Sequence, residues 1–192
     1  MLDAYTIETL DPELLERIQG EIDAKTKPQG SLGRVESLAL HLGAIQKTLK
    51  PLADPARLLL FAGDHGMVEE GVSAWPSEVT TLMVMNFLSG GAAANVFARA
   101  NNVSITIVDA GIAGELPPEL ADHPDLVRAN IRKGTRNAMH EDALTPGETE
   151  AALNFGAELA ADCVSKGARC ILLGEMGIGN TASAALLAHA VE

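Results

Sequence analysis

The chain has 192 residues, 14 basic against 26 acidic, a formal net charge of −12, and is 47% hydrophobic but only 3% aromatic. That acidic balance argues against a surface for a nucleic-acid backbone and against a polybasic membrane face, since both need clustered Lys and Arg. The apolar fraction suffices for a sizeable core of Ala, Leu, Val and Ile, and the length fits one domain or one and a half. Met1 to Glu8 has neither a basic nor an apolar region of a signal peptide. No apolar run reaches the ~18 residues of a membrane span. Cys163 and Cys170 fit no metal spacing and read as reduced core residues of a cytoplasmic protein.

Asp11-Pro12 opens the first predicted helix, with Asp11 as N-cap, Pro12 at its first position, and Leu14, Leu15, Ile18 and Ile22 on one face. A breaker-rich connection, Lys25 to Arg34, leads to a second predicted helix over Leu32–Leu49, capped by Ser31. Its apolar face is Val35, Leu38, Ala39, Leu42 and Ile45. Lys25, Lys27 and Arg34, set around Gly30 and Gly33, form either a phosphate site or a solvated interhelical loop.

Pro51 and Pro55 break the chain, and Arg57–Ala62 reads as a buried parallel strand. It runs into Gly63-Asp64-His65-Gly66, where open α/β sheets place ligands. Asp64 and His65 therefore read as loop-shaping or substrate-adjacent. A metal is not expected, because His41, His123, His140 and His189 supply no partner at ligand spacing. Trp75 follows on a loop, as a core plug or as one wall of a ring-binding pocket.

A helix opens at Pro76 and ends at Gly90-Gly91, with Val79, Met83, Asn86 and Phe87 sharing a face. A shorter one covers Ala92–Ala100, and Val103–Asp109 reads as the next strand, followed by Ala110-Gly111. Residues 112–146 are rich in Pro, Gly and charge, with a short strand candidate at Leu126–Ile131. Their basic cluster, Arg128, Arg132, Lys133 and Arg136, reads as a solvated or intersubunit segment. Thr145-Pro-Gly-Glu148 starts a helix running from Gly147 to Lys166, with Ala151, Ala152, Phe155, Leu159 and Val164 on the buried side.

Cys170–Leu173 is again a short apolar run, read as a buried parallel strand. Gly174, Gly177 and Gly179 follow, then an Ala/Leu-rich helix capped by Asn180 or Thr181. A strand, a glycine-rich loop and a helix N-terminus together suit a phosphate. Glu175, inside that loop, is expected to face a cation or an N–H donor. The glycine spacing is not the G-x-G-x-x-G of dinucleotide sites, and no Gly-Lys-Ser/Thr follows. The element order predicts an α/β class with a parallel sheet, organised as a helical element over 1–50 and an α/β nucleotide-binding domain over 51–192 that is incomplete at its C-terminus.

Six blocks carry a resemblance: Thr26 to Glu36, Phe61 to Gly66, Glu70 to Thr80, Asn86 to Val96, Val108 to Gly111 and Gly174 to Thr181. Together, and in this order, they resemble the nicotinate-nucleotide–dimethylbenzimidazole phosphoribosyltransferases of cobalamin biosynthesis. The resemblance implies a Rossmann-like three-layer α/β/α domain and a small helical domain to which the N-terminal helices belong. It implies that nicotinate mononucleotide and 5,6-dimethylbenzimidazole become α-ribazole 5′-phosphate and nicotinate, with no cofactor and no metal. Gly177, Gly179, Asn180 and Thr181 would hold the nucleotide phosphate, and Glu175 would be an auxiliary carboxylate. Trp75, Met83 and Asn86 would wall the benzimidazole site. Family members are longer homodimers whose catalytic glutamate lies in the C-terminal part, so the main base is expected beyond Glu192. The alternative expectation is a non-catalytic nucleotide-binding or assembly fragment of such an enzyme.

Overall fold

The computed structural model describes residues 7–129 and 131–191. They fall into two compact units, Met1–Ala53 and Asp54–Glu192. In the first unit two helices pair, α1 (Pro12–Asp23) and α2 (Arg34–Ile45). Asp11 caps α1 as its side chain accepts the Glu13 N–H at 3.0 Å, and Pro12 occupies the first turn, where its missing N–H costs nothing. The helices meet where Ile18 is buried against Gly43, a position at which a Cβ would lie only 3.0 Å from Ile18 Cδ1.

The expected cap of α2 is corrected. Gly33, not Ser31, is its N-cap, with a left-handed φ of 53°. Glu36 reaches back to accept the Leu32 N–H at 3.0 Å and meets Lys27 at 2.9 Å. Lys27 is thereby spent on shaping the interhelical loop. The helix also stops at Ile45, short of Leu49, because Lys47 turns to φ 52° while the Gln46 side chain exchanges two hydrogen bonds with the backbone of Leu52.

The second unit is a three-layer α/β/α fold on four parallel strands in the order β3-β2-β1-β4. These are β1 (Ala56–Gly63), β2 (Ser104–Gly111), β3 (Leu126–Arg128) and β4 (Cys170–Met176). The helices are α3 (Glu78–Leu88), α4 (Ala93–Ala100), α5 (Pro146–Ser165) and α6 (Asn180–Val191). Side chains alternate across a strand. Leu60, Ala62 and Ile107 therefore pack on one face with Val84, Phe87, Leu88 and Ala92 of the α3–α4 segment, while Leu59 and Val108 are buried on the other. Asn95 joins the two helices, accepting the Ala92 N–H and donating to the Phe87 carbonyl. Glu78–Ala100 is apolar enough overall to resemble a membrane span, but it is these two helices broken at Ser89–Ala92, with Val84, Phe87, Leu88, Ala92 and Ala98 in the core.

Three expectations need correcting. The buried face of α3 is Thr80, Val84, Phe87 and Leu88, so Val79, Met83 and Asn86 sit only at its margin. In α5 only Cys163 is fully buried, while Ala151, Ala152 and Val164 are exposed. The capping box of Thr145 and Glu148 does start that helix. The apolar run of β4 forms an edge strand rather than an enclosed one, with Leu173 77% exposed.

Candidate active site

From central β1 the chain runs out to β2 and β3 on one side, then crosses to β4 on the other. Parallel sheets seat ligands beyond the strand carboxyl ends at such a reversal. A cavity of about 610 Å³ lies there. Its walls are Phe61–Gly63 at the end of β1 with Asp64 and His65 just after it, Ala110 and Gly111 at the end of β2, Glu175 and Met176 of β4, residues of α6, and residues between Ile131 and Leu144.

Main-chain bonds fix this geometry. The Asp64 N–H donates to the Gly111 carbonyl at 3.0 Å, and the Asp64 carbonyl accepts the Thr135 N–H at 2.9 Å. Gly134 N–H reaches the Gly111 carbonyl at 2.9 Å, and Gly66 N–H donates to Thr135 Oγ1 at 3.1 Å. Residues 131–136 thus form a strap across the strand ends. A Cβ on Gly66 would come within 2.6 Å of the Arg136 and Asn137 backbone, so only glycine lets the strap approach so closely. Arg136 anchors it to α5 through both carboxylate oxygens of Glu148, at 2.6 and 3.1 Å, with Arg132 Nε 4.0 Å away. The Arg136 guanidinium and the Thr145 N–H hold the Glu148 carboxyl down to about 2. The solvated or intersubunit reading of this basic cluster is therefore corrected for Arg132 and Arg136, because a non-local acid claims them.

The β4–α6 loop brings the phosphate candidates to the same place in two layers. Gly177 and Gly179 are buried beneath the wall. A Cβ on Gly177 would overlap the Gly63 carbonyl oxygen, and one on Gly179 would lie 2.8 Å from Val68 Cγ2. Three of the loop's N–H groups are occupied within the protein: Ile178 donates to Thr80 Oγ1 at 3.0 Å, Asn180 to the Gly177 carbonyl at 3.1 Å, and Thr181 to Asn180 Oδ1 at 2.8 Å. The Asn180 and Thr181 residues line the cavity itself. The N–H donor opposite Glu175 is the Asn180 amide, 2.8 and 2.9 Å from the two carboxylate oxygens.

Asp64 and His65 both line the cavity. Asp64 is 4% exposed, and its Oδ2 accepts the Ala113 N–H at 2.8 Å. His65 Nδ1 and Ser183 Oγ share a hydrogen bond of 2.8 Å. Burial pushes the His65 imidazole below its usual range, against the opposing pull of the Glu175 and Asp64 carboxylates, so the ring is neutral near pH 7. Trp75, Met83 and Asn86 are not brought to this cavity: Trp75 is 66% exposed, and the other two are half-buried on α3. Sequence reasoning missed Arg132, Thr135 and Ser183. The only local signal was Gly134, whose positive φ of 67° marks a backbone turn.

The cavity therefore combines two carboxylates, a neutral imidazole, three hydroxyls and one guanidinium above an apolar floor. It suits a small polar molecule with hydroxyl and anionic groups, and it sets a positioned carboxylate where positive charge can develop. Among the described residues, no group of three metal-ligating side chains converges.

Comparison with known proteins supplies the context. The family described as phosphoribosyltransferase matches residues 7–192. A nicotinate-nucleotide–dimethylbenzimidazole phosphoribosyltransferase from Ralstonia nicotianae is 48% identical over 181 residues, covering 94% of this chain and 51% of that protein. A protein of the same name from Dechloromonas aromatica is 43% identical over 188 residues, covering 98% of this chain and 53% of the relative. The crystal structure of such an enzyme from Thermus thermophilus superposes with a TM-score of 0.85 at 45% identity, covering 94% of this chain and 54% of that one. The chain thus spans about half the length of the curated relatives it matches. With the fold, the cavity at the sheet's reversal and these matches in agreement, the chain belongs to the phosphoribosyltransferase family that includes the nicotinate-nucleotide–dimethylbenzimidazole enzymes.

Proposed function

We propose that this chain acts in the transfer of ribose 5-phosphate from nicotinate mononucleotide to 5,6-dimethylbenzimidazole, giving α-ribazole 5′-phosphate and nicotinate in cobalamin biosynthesis. The observation that carries this reading is Glu175, held by Asn180 at the rim of a cavity that also meets the N-terminal end of α6. In the reaction a benzimidazole nitrogen attacks ribose C1′ and the bond from C1′ to nicotinate breaks. Nicotinate leaves with the electron pair, and the benzimidazole N–H proton passes to a base. The sugar gains oxocarbenium character, which the Glu175 carboxylate stabilises. Asn180 fixes that carboxylate, while the phosphate is assigned to Thr181 beside it, with the dipole of α6 behind. Gly177 and Gly179 support this corner by permitting the loop's close packing. His65 and Asp64 sit beside the sugar. The proton goes to a carboxylate other than Glu175, whose oxygens both face Asn180. The active species is a cytoplasmic homodimer that needs no cofactor.

The test mixes the 192-residue chain with both substrates and follows α-ribazole phosphate chromatographically, with nucleotide binding measured in parallel. Product places a base within these residues. Binding of nicotinate mononucleotide without product assigns proton abstraction to residues outside them and leaves the chain a binding portion. Absence of both removes the reading.

A further inference from the structure

Asp64 is an unusual carboxylate. Its backbone N–H, its carbonyl and its Oδ2 are all spent on the protein, bonded to Gly111, Thr135 and Ala113. Its Oδ1 is buried and has no hydrogen-bond partner among the described residues. A buried carboxylate oxygen without a donor is costly, and such an orphan on a cavity wall calls for a ligand group. Arg132 Nη1, on the same cavity, is a second buried polar atom without a hydrogen-bond partner among the described residues, and no ion pair among them joins the two side chains. Gly63, Gly111 and Gly134 line the same cavity. A Cβ on Gly134 would touch both Asp64 Cβ at 3.6 Å and Ala113 Cβ at 3.8 Å, so its absence keeps space open there.

The chemistry of the two orphans narrows the ligand. Oδ1 needs a donor and Nη1 needs an acceptor. An ammonium only donates, a carbonyl only accepts, and a metal ion would meet the Arg132 charge on the same wall with too few acids to hold it. A sugar does both, one hydroxyl donating its proton to the carboxylate while its own oxygen or a neighbouring hydroxyl's accepts from the guanidinium. Oδ1 is itself covered, so a hydroxyl that reaches it requires the cavity wall at Asp64 to shift.

We propose that Asp64, with Arg132, binds a ribose hydroxyl of the nucleotide and makes the site selective for ribose over deoxyribose. The proposal rests on the nucleotide reading given above. A ligand lacking the hydroxyl leaves Oδ1 buried and unpaired, which is the situation in which polar sites discriminate best. The expected penalty is roughly ten- to a hundredfold in affinity, that of a hydrogen bond to a charged group.

The test is calorimetric titration of the 192-residue chain with nicotinate mononucleotide and its 2′-deoxy and 3′-deoxy forms, repeated on Asp64→Asn. The expected result is that one deoxy form binds roughly ten- to a hundredfold more weakly than the ribonucleotide. In Asp64→Asn that gap is expected to fall to about threefold or less, the affinity lost being mainly that of the ribonucleotide. Equal binding of all three ligands by the unmutated chain overturns the proposal and leaves the nucleotide reading standing, whether or not the variant folds. A gap that persists in a folded Asp64→Asn also overturns it, by placing the hydroxyl on another acceptor. Failure of the folded, unmutated chain to bind any of the three overturns the nucleotide reading and the proposal together.

Discussion

Glu175 and His65 share one wall, and each can be changed alone. Glu175→Gln keeps the shape of the side chain and a partner for Asn180 but removes the charge. Turnover is expected to fall about a hundredfold, with the dissociation constant of nicotinate mononucleotide moving by about threefold or less. Steady-state kinetics beside calorimetry separates the two, and unchanged turnover sinks the carboxylate role. The same substitution has a second readout. Burial depresses the His65 imidazole, and the Glu175 charge partly opposes that. In the variant, His65 is expected to titrate lower still, which NMR of the ring protons measures. The linkage has a definite sign: the folded state resists protonating His65, so stability falls as pH drops through the ordinary value of 6.5 towards the depressed one.

Among the elements, the β4–α6 loop and helix α5 invite opposite glycine experiments. Gly177→Ala forces a Cβ into the Gly63 carbonyl, a backbone atom that cannot swing away, and is expected to cost about 1–3 kcal/mol. Gly156 lies inside α5 with open space around it, so Gly156→Ala is expected to stabilise by about 0.5–1 kcal/mol. Urea unfolding measures both. The first turn of α5 also sets an acid limit. Glu148 titrates near 2 in the fold against an ordinary 4.5, so its contribution is complete above the ordinary value and is lost as pH falls from there towards 2. The unfolding midpoint is therefore expected to drop more steeply with acid in the unmutated chain than in Glu148→Gln. What the sequence made legible at this scale was local. The caps at Asp11 and Thr145 and the strand ending at Gly63 follow from neighbours along the chain, whereas Glu175, expected in a loop, is a residue of β4 paired with Phe61. What it hid was set by distance or topology. Ser31 lost its cap to a side chain from inside the helix, the partner of Arg136 came from another element, and the edge position of β4 depends on the order of the whole sheet. The role of Asp64 was half visible: its flanking glycines marked the loop, but an unpaired oxygen cannot be read from a string of letters.

For the molecule as a whole, the main exposed feature is apolar. Leu173 on β4 and Leu187 on α6 are 77% and 70% exposed, beside Leu172 and Leu186. Exposed apolar side chains in such number bind other apolar surfaces. A polypeptide of these residues is expected to bind a solvatochromic dye, and Leu173→Lys is expected to weaken that fluorescence with little change in melting temperature. The main-chain clamp around Asp64 has another outcome, concerning time. The bonds that close the cavity join residues 49 and 69 positions apart, from Asp64 to Ala113 and from Gly66 to Thr135. Contacts so remote along the chain form slowly, because a long loop must be closed before they repay it. A nascent or refolding chain will show its helices to circular dichroism well before it can grip a nucleotide, and in that interval the glycine-flanked strand ends stand open to chaperones and proteases alike.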